Sequence, residues 1–158
     1  MASSVRPMPR AIAAAMEANL PPRMRERARD FFGYTIDFTP LGANATTIQE
    51  VNIQSDSDFV IGAAVAVVTD TANTTRLGFV PQLVQLFSAG SGRNLFSGAT
   101  HFENVFGTAQ EPAIWPIPKL LSAGSTFSAQ LQNLEATARN CRLTFLGFKV
   151  FNYREGGG

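Results

Sequence analysis

A single histidine, a single cysteine and a single tryptophan set the first limits on this 158-residue chain. One cysteine, Cys141, excludes any intrachain disulfide, so stability has to come from burial or from assembly. It lies in the strand-like stretch CRLTFLGFKVF, where a buried, inert thiol is favoured over a nucleophile. One histidine, His101, excludes a histidine-based catalytic triad and a multi-histidine metal site. It follows a glycine-rich loop at a strand start, which favours a solvent-facing or structural role over a pH switch. Charged residues are sparse at 16%. The longest apolar run, FVIGAAVAVV at 59–68, falls well short of the roughly 20 residues that cross a bilayer.

What is present is unevenly distributed. Phenylalanine occurs 13 times against two tyrosines, which favours a packed core over a sugar-stacking or paratope-like surface. Residues 1–32 form an arginine-studded arm with Arg6, Arg10, Arg23, Arg25, Arg27 and Arg29 against Glu17, Glu26 and Asp30, a net charge of +3. The remainder is net −2, so copies of the chain are expected to attract one another arm to body. AIAAAMEA in the arm resembles the apolar region of a signal peptide only superficially. Glu17 interrupts it, and PPRMRER stands where a cleavage site belongs. The expectation is a protein made in the cytoplasm and not exported.

Local patterns divide the chain into three parts. Residues 1–8 read as disordered. Pro9 suits a first helical turn, and 10–20 is Ala-rich and helix-forming until Pro21 and Pro22 stop it. A second short helix is expected over 23–32, with Met24, Ala28 and Phe31 or Phe32 on one side. From Gly33 the period changes to two. Strands are expected at 34–39, 46–54, 57–69, 79–87, 101–107, 113–121, 125–134 and 141–151, with a short one near 94–96. The strand at 57–69 is apolar on both faces in its middle and is expected to be central. Pro81 confines the start of its strand to an edge or a bulge, and Pro116 with Pro118 marks an edge. The alternation in the last strand shifts at Leu146 and Gly147, which predicts a bulge. With no helical pattern between strands, the fold class is an all-β, antiparallel, jelly-roll-like β-sandwich. The expected organisation is a helical, basic arm at 1–32, a sandwich at 33–152 and a flexible tail at 153–158.

Candidate chemistry is thin. Asp56 and Asp58 in QSDSDF suit a calcium ligand pair or an acid/base pair, but no EF-hand spacing follows and a turn between strands is favoured. SAGSGRN at 88–94 lacks the Lys-Ser/Thr and the helix of a phosphate loop and reads as a hairpin loop; Arg93 there reads as a solvated side chain. The cluster Arg23, Arg25, Arg27 and Arg29 suits phosphates or a protein surface. Interleaved acids and absent lysines favour protein contact, so nucleic acid is a weak partner class. Trp115 in AIWPIPKLL suits a ligand platform or a packed rigid segment, and packing with an interface component is favoured.

The stretch from TTIQEVNIQSDSDF, through QLVQLFSAGSGRNL and WPIPKLLSAGSTF, to QLQNL and LTFLGFKVF resembles the small β-sandwich head proteins of tailed bacteriophages, over roughly residues 46–151. These are decoration, or cement, proteins that bind outside the major capsid shell. The resemblance implies a virion protein on the capsid surface, with the major capsid protein and further copies of itself, as a dimer or trimer, for partners. It implies no catalytic residue, no metal, no cofactor and no membrane. The arm lies outside the resembling stretch, and in such families a terminal segment often reaches a neighbouring subunit. On that reading Arg23, Arg25, Arg27 and Arg29 make charge-assisted contacts to shell or neighbour carboxylates. Met24, Phe31, Phe32 and Trp115 supply apolar anchoring. The rivals are a minor head, neck or tail protein, and a carbohydrate-binding module using Trp115 with Asp56 and Asp58.

Overall fold

The computed structural model describes residues 10–27, 29–78, 81–89, 92–101, 104–108 and 111–151. The expected disorder at 1–8 and tail at 153–158 lie outside the described residues. The elements are α1 (Arg10–Ala18), α2 (Pro22–Arg25), β1 (Arg29–Leu41), β2 (Thr46–Asn52), β3 (Asp58–Thr69), β4 (Gln82–Ser88), β5 (Arg93–Asn94), β6 (Thr100–His101), β7 (Ala113–Leu121), β8 (Thr126–Gln132) and β9 (Arg139–Val150).

All strand pairing is antiparallel within two sheets. The first sheet has the order β1-β9-β3-β7, and the second the order β2-β8-β4-β5, with β6 also on β4. Strands β5 and β6 pair with opposite ends of β4 and act together as one interrupted edge strand. Counted so, there are eight strands, and the chain changes sheet at every step except from β4 to β5 and β6, which is the wiring of a jelly roll. The expected fold class is the one observed.

The inner faces meet in a core rich in phenylalanine. Phe38, Phe59, Phe127 and Phe145 are fully buried. Phe127 meets Phe145 edge to face with centroids 4.9 Å apart, and Tyr34 meets Phe59 at 4.7 Å. The period-two strands place Tyr34, Ile36 and Phe38 in this core, as do Leu143 and Phe145 from β9.

Strand β3 sits between β9 and β7, which explains its apolar character on both faces. Its inner side chains Phe59, Ile61, Ala64, Ala66 and Val68 join the main core, while Val60 and Ala63 belong to a second cluster outside the sandwich. The change of phase falls at Gly62. Ile61 pairs with Gly147 and Ala63 with Leu146, so Gly62 is the extra residue of a bulge. The bulge expected in β9 is therefore carried by its partner strand. Gly147 answers a different need, since a Cβ there would lie 1.8 Å from the Val60 carbonyl oxygen.

Two further expectations are corrected, and a third, an edge or a bulge at the start of the Pro81 strand, is met as an irregularity and not as an edge. The helix expected over 23–32 is only the single turn α2, and Arg29, Asp30, Phe31 and Phe32 open β1 opposite Val150, Lys149, Phe148 and Gly147. Ladder hydrogen bonds to β9 outweigh the weak helical pattern there. Of the strand expected at 101–107, His101 is in β6, 102 and 103 lie outside the described residues, and Asn104 and Val105 form a turn that leads to an isolated bridge at Gly107. Strand β4 lies inside its sheet; Pro81 stands just before it, and a register shift falls between Leu83 and Gln85.

Candidate interaction surface

The arm lies across the outer face of the first sheet. Met16 and Leu20 are buried against Val60, Ala63, Phe148 and Val150, with Ile12, Met24, Ile114 and Leu146 packed around them. Helix α1 has the spacing for this, because Ile12 and Met16 lie on one face, and Leu20 follows just past its end. The bulge at Gly62 makes room for Met16, whose Cε would lie 3.0 Å from a Cβ at that position. At the far end of α1, Asn19 Nδ2 donates to the Trp115 carbonyl at 3.3 Å. A nine-residue helix is marginal alone, and burying Met16 contributes about 1.5–3 kcal/mol toward holding it.

Two of the expected contact arginines are used within this packing. Arg25 Nε donates to the Leu20 carbonyl at 2.9 Å and its Nη2 to the Ala18 carbonyl at 2.6 Å, closing the C-terminal end of α1. Arg29 pairs with Glu17 and donates to the Arg25 carbonyl. Arg27 is half-buried and Arg23 is exposed, as is Arg10 at the start of α1. The cations best placed to meet a partner are thus Arg10 and Arg23, and Arg10 was not singled out from the sequence.

The apolar candidates separate as well. Met24 packs onto the arm cluster. Phe31 stands on the same outer face, 49% exposed, edge-on to Phe148 at 6.3 Å. Phe32 points the other way, into the sandwich end, 4.9 Å from Tyr34 and under the Lys149 ammonium at 4.3 Å. Lys149, nearly buried, also bonds Gln54 and reaches Asp56 at 3.1 Å, while the Gln54 N–H donates to the Tyr34 hydroxyl at 3.0 Å. Phe32 therefore closes one end of the core.

Trp115 packs edge-on to Phe145 at 6.4 Å and carries one wall of a groove of 420 Å³ at the edge of the sandwich. Residues 115–118 leave the ladder between the pairs Ala63–Ile114 and Ile61–Lys119. The two prolines of this stretch cannot donate to a ladder, which explains the excursion. It pushes Ile117 out to 83% exposure, and Leu120 beside it is 42% exposed. Leu120 pairs with Val60 and so shares the outer face with the arm. Uncovered apolar side chains flank the arm, Phe31 on β1 and Leu120 on β7, with Ile117 at the looped-out edge of β7.

The remaining candidates are placed apart. The Asp56 carboxyl is held below its usual range by its hydrogen bond to Lys149. Asp58 accepts from the Ala123 N–H at 2.9 Å. Asp58 and the part of β3 facing Trp115 are four to five residues apart, about 15 Å along the strand, so the three do not form one sugar site. Cys141 is buried in the core, and desolvation pushes its thiol up to about 12. His101 is exposed on β6 and Arg93 on β5. Asp70, in the loop after β3, is a carboxylate that no sequence motif marks. It accepts from the Thr74 hydroxyl and from the Thr74 and Thr75 N–H groups, and the Thr74 bond leads in lowering its pKa. No cluster of His, Cys, Asp and Glu suited to a metal is found among the described residues.

No family model matches the chain, and no curated protein matches it. Among solved structures, the mitogen YPM derived from Yersinia pseudotuberculosis is similar at 13% identity and a TM-score of 0.27, covering 72% of this chain and 92% of that one. A likeness at that score carries no argument here.

Proposed function

We propose that this chain is a structural virion protein, a decoration or cement protein that binds the assembled head of a tailed phage and stabilises it. The observation that carries the reading is the arm strapped over the first sheet. It leaves Phe31 and Leu120 uncovered on either side of it and Ile117 at the looped-out edge of β7, with exposed Arg10 and Arg23 on the arm itself. Aromatic, aliphatic and arginine side chains are what interface centres are made of. The jelly-roll wiring is shared with many viral shell proteins, which supports the reading by analogy. The partners on this reading are the major capsid protein and further copies of the chain, and the place of action is the outer capsid surface. Each contact is modest in area, and multivalency across a shell raises the total affinity.

Titration of the purified protein onto empty heads, read by co-sedimentation, tests this. Saturable binding at many copies per head is expected. Saturation at a single ring of copies points instead to a neck or tail protein, and no binding contradicts both.

A further inference from the structure

The four sheet edges are not equally protected. Strand β7 is interrupted by Pro116 and Pro118 within a looped-out stretch. Strand β1 carries Asp30 and Asp37, and its register shifts between Phe38 and Leu41. Strands β5 and β6 are two residues each. Strand β2 is the least protected: it has no proline and no register shift, and its one charge is Glu50. Its seven residues, TTIQEVN, pair with β8 in unbroken register and contain no proline, glycine or lysine. Uninterrupted edges with little charge and no bulge or proline are templates for another strand.

The direction of the free backbone groups is also defined. At one end of β2 the Asn133 N–H donates to the Ala45 carbonyl at 2.9 Å, and at the other the Ile53 N–H donates to the Ser125 carbonyl at 2.8 Å. Antiparallel ladders alternate, so the odd-numbered residues turn their backbone groups to β8. Thr46, Ile48, Glu50 and Asn52 turn theirs away from the sheet. Ile48 is 56% exposed at the centre of this row.

We propose that β2 pairs antiparallel with β2 of a second copy about a two-fold axis at Ile48, joining the two second sheets into one. In this register Ile48 faces Ile48 of the other copy and Glu50 faces Thr46. The strand's sole charge meets no like charge, and a β-branched pair replaces two exposed side chains. Moving the axis to Glu50 would oppose two carboxylates, and moving it to Gln49 would set Ile48 against Glu50. Such contacts are isologous and close on themselves as a dimer. The paired edge is a single strand about 23 Å long, too short to bury the roughly 1,200 Å² of a stable interface, so the dimer is weak and concentration-dependent. The pairing is independent of whether the larger partner is a capsid.

Sedimentation equilibrium of the full chain over roughly 10 µM to 1 mM tests it. The wild type is expected to pass from monomer to dimer. Ile48→Lys and Ile48→Glu alone are expected to raise the dissociation constant at least tenfold, and their equimolar mixture to restore a heterodimer. Thr46→Pro, which removes an N–H that no intrachain ladder uses, is expected to weaken the dimer while leaving the melting temperature near wild type. A wild type that stays monomeric, an Ile48→Lys protein that dimerises as well or better, or a mixture that stays monomeric overturns the pairing.

Discussion

Met16 is seated on Gly62: a Cβ at that glycine would lie 3.0 Å from Met16 Cε and 3.3 Å from its Cβ and Cγ. The bulge in β3 and the arm are therefore one feature, in which the extra residue of a strand is the floor of a socket and the arm supplies the side chain that fills it. This cluster is separate from the core between the sheets.

Gly62→Val overfills the socket and is expected to cost about 1–3 kcal/mol, concentrated in the arm. Met16→Ala empties it and is expected to cost about 2 kcal/mol. Hydrogen exchange should quicken across α1 in both variants while β8 and β9 keep their protection. Equal loss of protection in the sandwich would show that arm and body are a single unit.

Asn133 is a buried hub between β8 and the loop after β1. Its Nδ2 donates to the carbonyls of Leu41, Gly42 and Thr137 at 3.3, 3.1 and 2.9 Å, and its Oδ1 accepts from the Glu135 N–H at 2.9 Å. Asn133→Leu strands several of these groups and is expected to cost about 3 kcal/mol in chemical denaturation. Leu134→Ala, at the exposed neighbour, should stay within about 0.5 kcal/mol of wild type.

Much of this architecture was legible from residue pattern, and the failures have physical causes. The two apolar faces of β3 identified a central strand, and two prolines identified β7 as an edge. Arg29 and Asp30 look like the polar face of a helix. Their strand conformation comes from pairing with β9, a partner more than a hundred residues away. The bulge was assigned to the wrong strand because both strands carry a glycine at the crossing, and only the register tells which residue is extra. The arginines were read as one outward cluster. Arg25, though exposed, and Arg29 fold back onto the arm, where they bond the terminal carbonyls of α1 and Glu17. The uncovered row Phe31, Ile117 and Leu120 spans strands that lie far apart in sequence, so no local pattern could reveal it.

Asp56 and Asp70 contribute to the acid side of stability. Both carboxyls are lowered from 3.8, Asp56 chiefly by Lys149 and Asp70 chiefly by Thr74. The unfolded chain therefore takes up these protons first as pH falls. The contribution is present above about pH 4 and is lost as pH drops through the folded values. Denaturation midpoints should decline below pH 4, and Asp56→Asn or Asp70→Asn should each flatten that decline. An unchanged slope in both variants would contradict the assignment.

The Cys141 thiol, raised to about 12 by burial, has almost no thiolate at neutral pH. A thiol reagent at pH 8 is expected to leave the native protein unlabelled and to label it fully in denaturant. Rapid native labelling would mean that β9 opens locally.

The central claim is that the arm-bearing face meets the capsid. Co-sedimentation with empty heads should compare the triple change Phe31→Ser, Ile117→Ser, Leu120→Ser with Gln130→Lys, Gln132→Lys on the outer face of the other sheet. The account predicts at least a tenfold loss of affinity for the first variant and wild-type binding for the second. Undiminished binding of the first, or loss confined to the second, would contradict it.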